Sequence, residues 1–196
     1  MKIETLPVGA LGTNCYLVSG EESHQVLVID PGAEAESILS AIGSRQVSAV
    51  LLTHGHFDHT GALSAFQGTP IYIHPADRIM LSDPVWSVGW KFGDDASRPD
   101  ATDFVQEGAR LHLAGLDISV MHVPGHTLGG VAYRIGDSLF TGDTLFYRGY
   151  GRVDHAGGDL GVLFASLKRL LKMEEDLAVY PGHGRSTSLF RERDRL

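Results

Sequence analysis

Cysteine is nearly absent: Cys15 is the only one in 196 residues. No intrachain disulfide can form, so nothing here asks for an oxidising compartment. Set in the strand-like run CYLV, Cys15 is expected to be a small buried thiol rather than a nucleophile. Basic residues are also scarce, 16 against 24 acidic ones, for a net charge of −8. Such a chain lacks the basic footprint that phosphate backbones select, which argues against nucleic acid as a partner. The arginines that do cluster fall in RSTSLFRERDRL, which reads as a solvated last helix. Long apolar runs are missing too. No stretch reaches the roughly 18 residues of a membrane helix, and no basic-then-apolar leader opens the sequence. The expectation is a soluble, cytoplasmic protein without a membrane partner.

What is present suits one core. The hydrophobic share is 43%, and no low-complexity linker divides residues 1–196, so a single domain is expected. Short alternating runs, KIETL, NCYLVS and QVLVID, read as strands before a helix at AEAESILSAI and the strand AVLL. A second helix is expected from His59 through LSAF, then strand IYIH and a short helix from Pro75 to Leu81. Residues 83–107 carry no clear period and read as a long loop. Strands return at LDISVMHV, VAYRI and SLFTG, the last two joined by Gly136 and Asp137, a pair suited to a tight hairpin turn. A loop at 145–158 precedes the amphipathic helix DLGVLFASLKRLLKM and the strand LAVY. Strands alternating with helices predict a layered α/β fold.

The two halves echo each other. YLVSGEESHQVLVIDPG, a helix and AVLLTHGH parallel AYRIGDSLFTGD, a helix and LAVYPGHG: a hairpin ending in aspartate, a helix, then a strand ending in histidine. This pairs Asp30 with Asp143, and His54 and His56 with His183. If the symmetry is real, these side chains face one central axis.

The chemistry concentrates in THGHFDH, residues 53–59, straight after AVLL. A lone histidine after a strand is usually a satisfied polar side chain. Three imidazoles and a carboxylate within seven positions would all need partners if buried, which favours a cation. Helical zinc motifs space histidines four apart, but here His54 and His59 are five apart and Gly55 separates His54 from His56. In extended backbone, residues two apart share a side, so His54 and His56 can hold one ion while Asp58 and His59 face a second. Zinc needs about four ligands, or three plus water in a catalytic site. His126 in PGHTLGG, Asp143 in TGDTLF and His183 in YPGHG are the remaining candidates, each at the C-terminal end of an apparent strand, where open α/β sheets usually build sites.

The series IDPG, THGHFDHTG, PGHTLGG, GDTLF and YPGHG, in this order over residues 29–184, resembles the metallo-β-lactamase superfamily, most of all its glyoxalase II-like branch. The resemblance implies a four-layer αββα sandwich of two pseudo-symmetric βα halves. It implies that His54, His56 and His126 hold one divalent metal ion and Asp58, His59 and His183 another, with Asp143 bridging and Asp30 supporting them from behind. Zinc is the expected ion, and iron or manganese also suit imidazole and carboxylate ligands.

Two such ions sharing a water lower its pKa from about 15.7 toward about 7, so a hydroxide, oriented by Asp58, replaces a serine or cysteine nucleophile. The function implied is hydrolysis of a small-molecule acyl thioester, whose thiolate leaves without a strong general acid. Other branches fit less well. Lactamases with a cysteine ligand carry it where this chain has Asp143, and flavin-linked di-iron reductases carry glutamate at the place of His56. Glyoxalase II enzymes add a helical domain, whereas 13 residues follow His183 here. Where they use a lysine and a tyrosine for glutathione, this chain has Arg152 and Asp154. A small acyl thioester or related ester therefore suits it better than a glutathione conjugate. The alternatives are a persulfide dioxygenase with one iron on His54, His126 and Asp143, and a non-catalytic metal-binding or sensor protein. Arg148 and Arg152 are expected to attract an acidic group of the substrate and His155 to touch it. Trp86, Trp90 and Phe92 are candidates to wall the pocket. His74 is expected to start a helix, His122 to be a hydrogen-bonded core residue, and His24 and His112 to be solvated. The sequence leaves the oligomeric state open.

Overall fold

The edge strand at residues 2–8 is half-exposed, whereas the next two runs, 13–19 and 25–29, are buried on both faces. A computed structural model, describing residues 1–21, 23–95 and 97–195, shows why. Strands β1 (Lys2–Val8), β2 (Thr13–Ser19) and β3 (Gln25–Ile29) form an antiparallel meander. Helix α1 (Ala35–Ile42) crosses to β4 (Gln46–Leu51), parallel to β3, and after α2 (Phe57–Thr60) the parallel strands β5 (Ile71–Ile73) and β6 (Asp103–Phe104) follow. The second half begins with the antiparallel strands β7 (Arg110–Leu113), β8 (Leu116–His122), β9 (Val131–Ile135) and β10 (Ser138–Gly142). A small ribbon, β11 (Leu145–Phe146) and β12 (Gly149–Tyr150), precedes helix α3 (Leu160–Leu171), strands β13 (Ala178–Pro181) and β14 (Thr187–Ser188), and helix α4 (Leu189–Arg193). The two large sheets run β1-β2-β3-β4-β5-β6 and β14-β13-β10-β9-β8-β7.

Three apolar interfaces separate four layers. Val26, Val28, Val50 and Leu52 face α1, where Ile38 and Ile42 meet them. The alternate residues Leu27, Ile29, Ala49 and Leu51 meet Val131, Tyr133, Ile135 and Phe140 of the other sheet. Beyond that sheet, Ala132, Leu139 and Val179 pack on Leu163, Leu167 and Leu170 of α3. Strands buried on both faces read as nearly continuous apolar runs, whereas the outer helices need one stripe. Asp159 caps α3 by accepting from the Val162 amide at 2.9 Å. Cys15 is fully buried against α1, as expected.

The internal echo is topological. The unit β2-β3-α1-β4 is repeated by β9-β10-α3-β13: an antiparallel pair, a helix, then a parallel strand. Asp30 follows β3 as Asp143 follows β10, and His54 follows β4 as His183 follows β13. This is the pseudo-symmetric sandwich that the sequence suggests.

Several expectations need correction. The helix expected from His59 to Phe66 breaks after Thr60, and a separate 3-10 turn spans Leu63–Phe66. The cause is tertiary: the Ala62 amide donates to Pro31 O, and a Cβ on Gly61 would lie 2.3 Å from Gly32 O. The stretch 83–107 holds a 3-10 turn at Gly89–Phe92 and strand β6, and the loop at 145–158 starts with the β11–β12 ribbon. Strand β7 is an addition to the strands expected from alternation. The last helix is only five residues long and is not simply solvated, since Leu189 and Glu192 are fully buried. His74 caps the turn Pro75–Leu81 through the Ala76 amide, while His122 is half-buried and stacks on it at 4.3 Å rather than lying in the core. No helix among the described residues is long and apolar enough to cross a membrane.

Phe140→Ala, which empties the space between the sheets, is expected to lower unfolding free energy by about 3–5 kcal/mol. Val162→Ala on the exposed side of α3 should change it by about 0.5 kcal/mol or less, both read from urea titrations. Burial and the neighbouring His122 hold His74 down from 6.5 to about 4. The unfolded chain therefore binds the extra proton first, and stability present above pH 6.5 is lost as pH falls toward about 4. The wild type should lose more stability between pH 7 and pH 5 than His74→Asn, which keeps a capping group; equal losses would contradict this.

Candidate metal centre

Strand ends from both sheets converge at one end of the sandwich. Thr53 and His54 leave β4, Asp30 leaves β3 with φ +52°, and Asp143 leaves β10 after Gly142. The sheets can approach this closely because residue 142 is a glycine: a Cβ there would lie 2.3 Å from Thr53 Oγ1. Backbone bonds tie the seam: Val131 N donates to Thr53 O, Gly182 N to Gly142 O, and Asn14 N to Gly182 O at 2.7–2.8 Å.

Fixed partners set the tautomers of four histidines. Thr53 Oγ1 donates to Asp30 Oδ2 at 2.6 Å, so it must accept from His54 Nδ1 at 3.1 Å. His59 Nδ1 donates to Asp30 at 2.9 Å, His126 Nδ1 to Arg152 O at 2.6 Å, and His183 Nδ1 to Leu11 O at 3.2 Å. In the neutral form each ring then presents a bare Nε2, the arrangement metal-binding imidazoles show when a second partner holds the other nitrogen. His54 Nε2 and His126 Nε2 stand 3.1 and 2.9 Å from His56 Nδ1. Ligands about 2.0–2.1 Å from a shared ion lie about 3 Å apart on one face of it. His54, His56 and His126 form one such group.

Asp58, His59 and His183 form a second group, and His54, His59 and Asp143 a third that joins the two. Asp58 Oδ2 lies 3.2 Å from His183 Nε2 and 3.6 Å from His59 Nε2, and accepts from Thr13 Oγ1 at 2.9 Å. Asp143 stands between the groups, 3.4 Å from His59, 3.5 Å from His183 and 3.6 Å from His126.

The electrostatics differ between the groups. Burial and neighbouring imidazoles push His54 and His56 well below their ordinary range, so both stay neutral. Burial pulls His59 and His183 the same way, but the carboxylates outweigh it. His59 is raised well above its usual value, and His183 rises to about 9 beside Asp143 and Asp58. Burial alone would raise the two carboxyls, yet the imidazoles hold Asp58 down to about 2 and Asp143 well below the usual carboxylate range. Cation binding there displaces protons. His59 Nε2 and Asp143 Oδ1 are buried with no hydrogen-bond partner. Unmatched buried atoms are costly, and a divalent cation would satisfy both. The donor set therefore fits metal ions.

A cleft of about 380 Å³ opens over these residues, walled by Leu11, Phe57, Val88, Phe92 and Phe146. His155 and Arg152 line it, but the Arg152 guanidinium is already paired with Asp154 by two bonds of 2.6 Å. His155 Nδ1 lies 3.3 Å from Lys91 Nζ. Arg148 does not line the cleft; its side chain turns to Tyr147. Phe92 stacks on Phe57, whereas Trp90 is exposed and Trp86 approaches Gly157 behind the rim.

The sequence profile of the metallo-beta-lactamase superfamily matches residues 8–183. The chain belongs to the metallo-beta-lactamase superfamily. Among relatives of this superfamily, hydroxyacylglutathione hydrolase GloC of Haemophilus influenzae is 36% identical, over 98% of this chain and 95% of that protein. Among solved structures, the BLEG-1 B3 metallo-beta-lactamase superposes with a TM-score of 0.92 at 32% identity, covering 98% and 97% of the two chains. TTHA1623, solved in a di-iron-bound form, gives 0.87 at 37% identity and 98% of both chains. ETHE1 from Myxococcus xanthus gives 0.80 at 28% identity, with 100% of this chain and 83% of that one covered.

The sequence alone missed the residues that hold this superfamily site from behind. Asp77, fully buried, accepts from Thr127 Oγ1 at 2.7 Å and Gly129 N at 2.6 Å, and so fixes the turn carrying His126. Asn14 Nδ2 donates to Pro181 O and Gly184 O around His183. In the sequence Asn14 stands two residues from Gly12, but nothing beside Asp77 marks it. Asp30→Ala removes the acceptor of both Thr53 and His59 and is expected to weaken metal binding about 10- to 100-fold. Competition with a chromogenic chelator measures this; unchanged affinity would refute the role of Asp30.

Proposed function

We propose that this protein is a dinuclear metallo-hydrolase acting on small acyl thioesters or related esters. The observation that carries the proposal is the Asp143 carboxylate, 3.4–3.6 Å from nitrogens of both ligand groups, as a carboxylate shared by two ions would be. His54, His56 and His126 would hold one ion, Asp58, His59 and His183 the other. Zinc suits this donor set, as do iron and manganese, and TTHA1623 is a relative solved with two irons. When bound, such ions acidify a water molecule and polarise a carbonyl oxygen.

The protein's own groups do the rest. Asp58 stays ionised, fixed by Thr13 and His183, and can orient a water by accepting one of its hydrogens. Cys15, the chain's one cysteine, does not compete as a nucleophile, because it is buried in the core and burial pushes its thiol far up. Both carboxyls facing the cleft are held low, so neither is a proton donor for a poor leaving group. A thiolate departs without one, whereas an amine does not. The apolar walls suit a small acyl group and exclude water from it. The name of the GloC relative, a hydrolase of an acylated thiol, supports the same substrate class.

A lactam is the second reading, favoured by the fit to BLEG-1. Elemental analysis together with a substrate panel decides between them. About two divalent ions per chain are expected, with thioester hydrolysis that a chelator abolishes and added zinc restores. One iron per chain with oxygen consumption would point to a persulfide dioxygenase, and faster turnover of a lactam than of any thioester would overturn the proposal.

A further inference from the structure

Arg148, Arg185 and Arg195 surround the ring of Tyr147, their guanidinium carbons 5.3, 3.6 and 5.6 Å from its centroid. Three like charges around one ring repel each other. The chain carries 24 acidic residues, yet among the described residues a carboxylate approaches just one of these arginines, Arg195, from Glu192 at 3.9 Å. For Arg148 and Arg185 the structure shows no carboxylate partner among the described residues. Arg185 packs on the ring face at 3.6 Å, and a guanidinium has five N–H groups, more than its contact with the Tyr147 hydroxyl uses.

The cluster is held in place by a buried group. Glu192, fully buried, accepts from Thr187 Oγ1 at 2.5 Å and from the Arg148 amide at 2.9 Å. It thereby fastens the β11–β12 turn to β14, and so brings Arg148 close to the segment carrying Arg185. Arg148 sits at φ +58° as the second residue of that turn, a conformation that usually selects glycine or asparagine. The cluster also borders the cleft. Phe146 lines the cleft with its ring 6.0 Å from that of His183, Tyr147 is the next residue, and Arg185 is two residues beyond His183.

We infer that Arg148, Arg185 and Arg195 form an anion subsite for the phosphate-bearing part of a thiol carrier whose acyl thioester enters the adjacent cleft. The inference rests on the thioesterase reading above. Phosphate is favoured over carboxylate because it carries up to two charges per group and accepts paired guanidinium bonds on several edges. Arg152, inside the cleft, is already neutralised by Asp154, which leaves the cluster as the place for a charged carrier to dock.

The test uses the metal-loaded enzyme and one acetyl group on two carriers, coenzyme A and pantetheine. KM for the phosphorylated thioester is expected to be about tenfold lower, with the advantage shrinking as salt rises. The double variant R148Q/R185Q should raise KM for acetyl-coenzyme A about tenfold more than for acetyl-pantetheine, with similar kcat. Equal KM values for the two carriers, or an advantage that survives the variant, would overturn the subsite. If neither thioester is hydrolysed, the thioesterase reading fails, and calorimetry with 4′-phosphopantetheine, pantetheine and inorganic phosphate still judges the subsite. Binding that needs the phosphate and is lost in a variant of unchanged melting temperature supports it. Equal binding by wild type and variant would mean that the metals hold the phosphate, and inorganic phosphate binding as tightly as the phosphorylated thiol would mean no carrier is recognised; either overturns it.

Discussion

One buried carboxylate governs the site. Asp30 is 1% exposed and accepts from Thr53 N, Thr53 Oγ1 and His59 Nδ1. Through Thr53 it fixes the tautomer of His54, and directly that of His59, so a single group orients one imidazole from each ligand set. It can do so because it sits in a left-handed backbone position straight after β3, which turns the chain before α1 and points the side chain along the seam between the sheets. Burying a charge this deep is costly unless its lone pairs are met. Three donors meet them.

The two ligand sets divide the work of charge. His54 and His56 are kept neutral by burial, whereas Asp58 and Asp143 are kept ionised by the imidazoles around them. The same low-dielectric surroundings favour the uncharged form of a base and strengthen the pull between an acid and its partner. The two environments share an edge at Asp143, where a divalent cation would satisfy His59 Nε2 and Asp143 Oδ1 together.

Much of this is legible in the sequence, for local reasons. THGHFDH is contiguous, and the period of two in extended backbone is enough to put His54 and His56 on one side. Asp143, His126 and His183 show through their Gly-rich strand ends and the family resemblance. The supporting groups do not, because their meaning lies in partners far along the chain: Asp77 meets Gly129, and Asn14 meets Gly184. The helix break at Gly61 is hidden for the same reason, being caused by the backbone of Gly32. The loop that carries Arg148 suggests a place near the substrate, but the direction of Arg148 is set by Glu192, 44 residues later. Sequence reading succeeds where a residue stands in a motif that is local in the chain, and fails where its meaning lies only in a distant partner.

The seam between β2 and the last ligand turn shows the extreme of that rule. Thr13 bridges His183, and Asn14 reaches Pro181 across a separation of 167 residues. Closing so long a loop is entropically slow, and one strand of the seam must wait for nearly all of these residues to leave the ribosome. The group Asp58, His59 and His183 is therefore complete only after β13 has left the ribosome. Asp58 and His59, made early, meet His183 only when the fold closes.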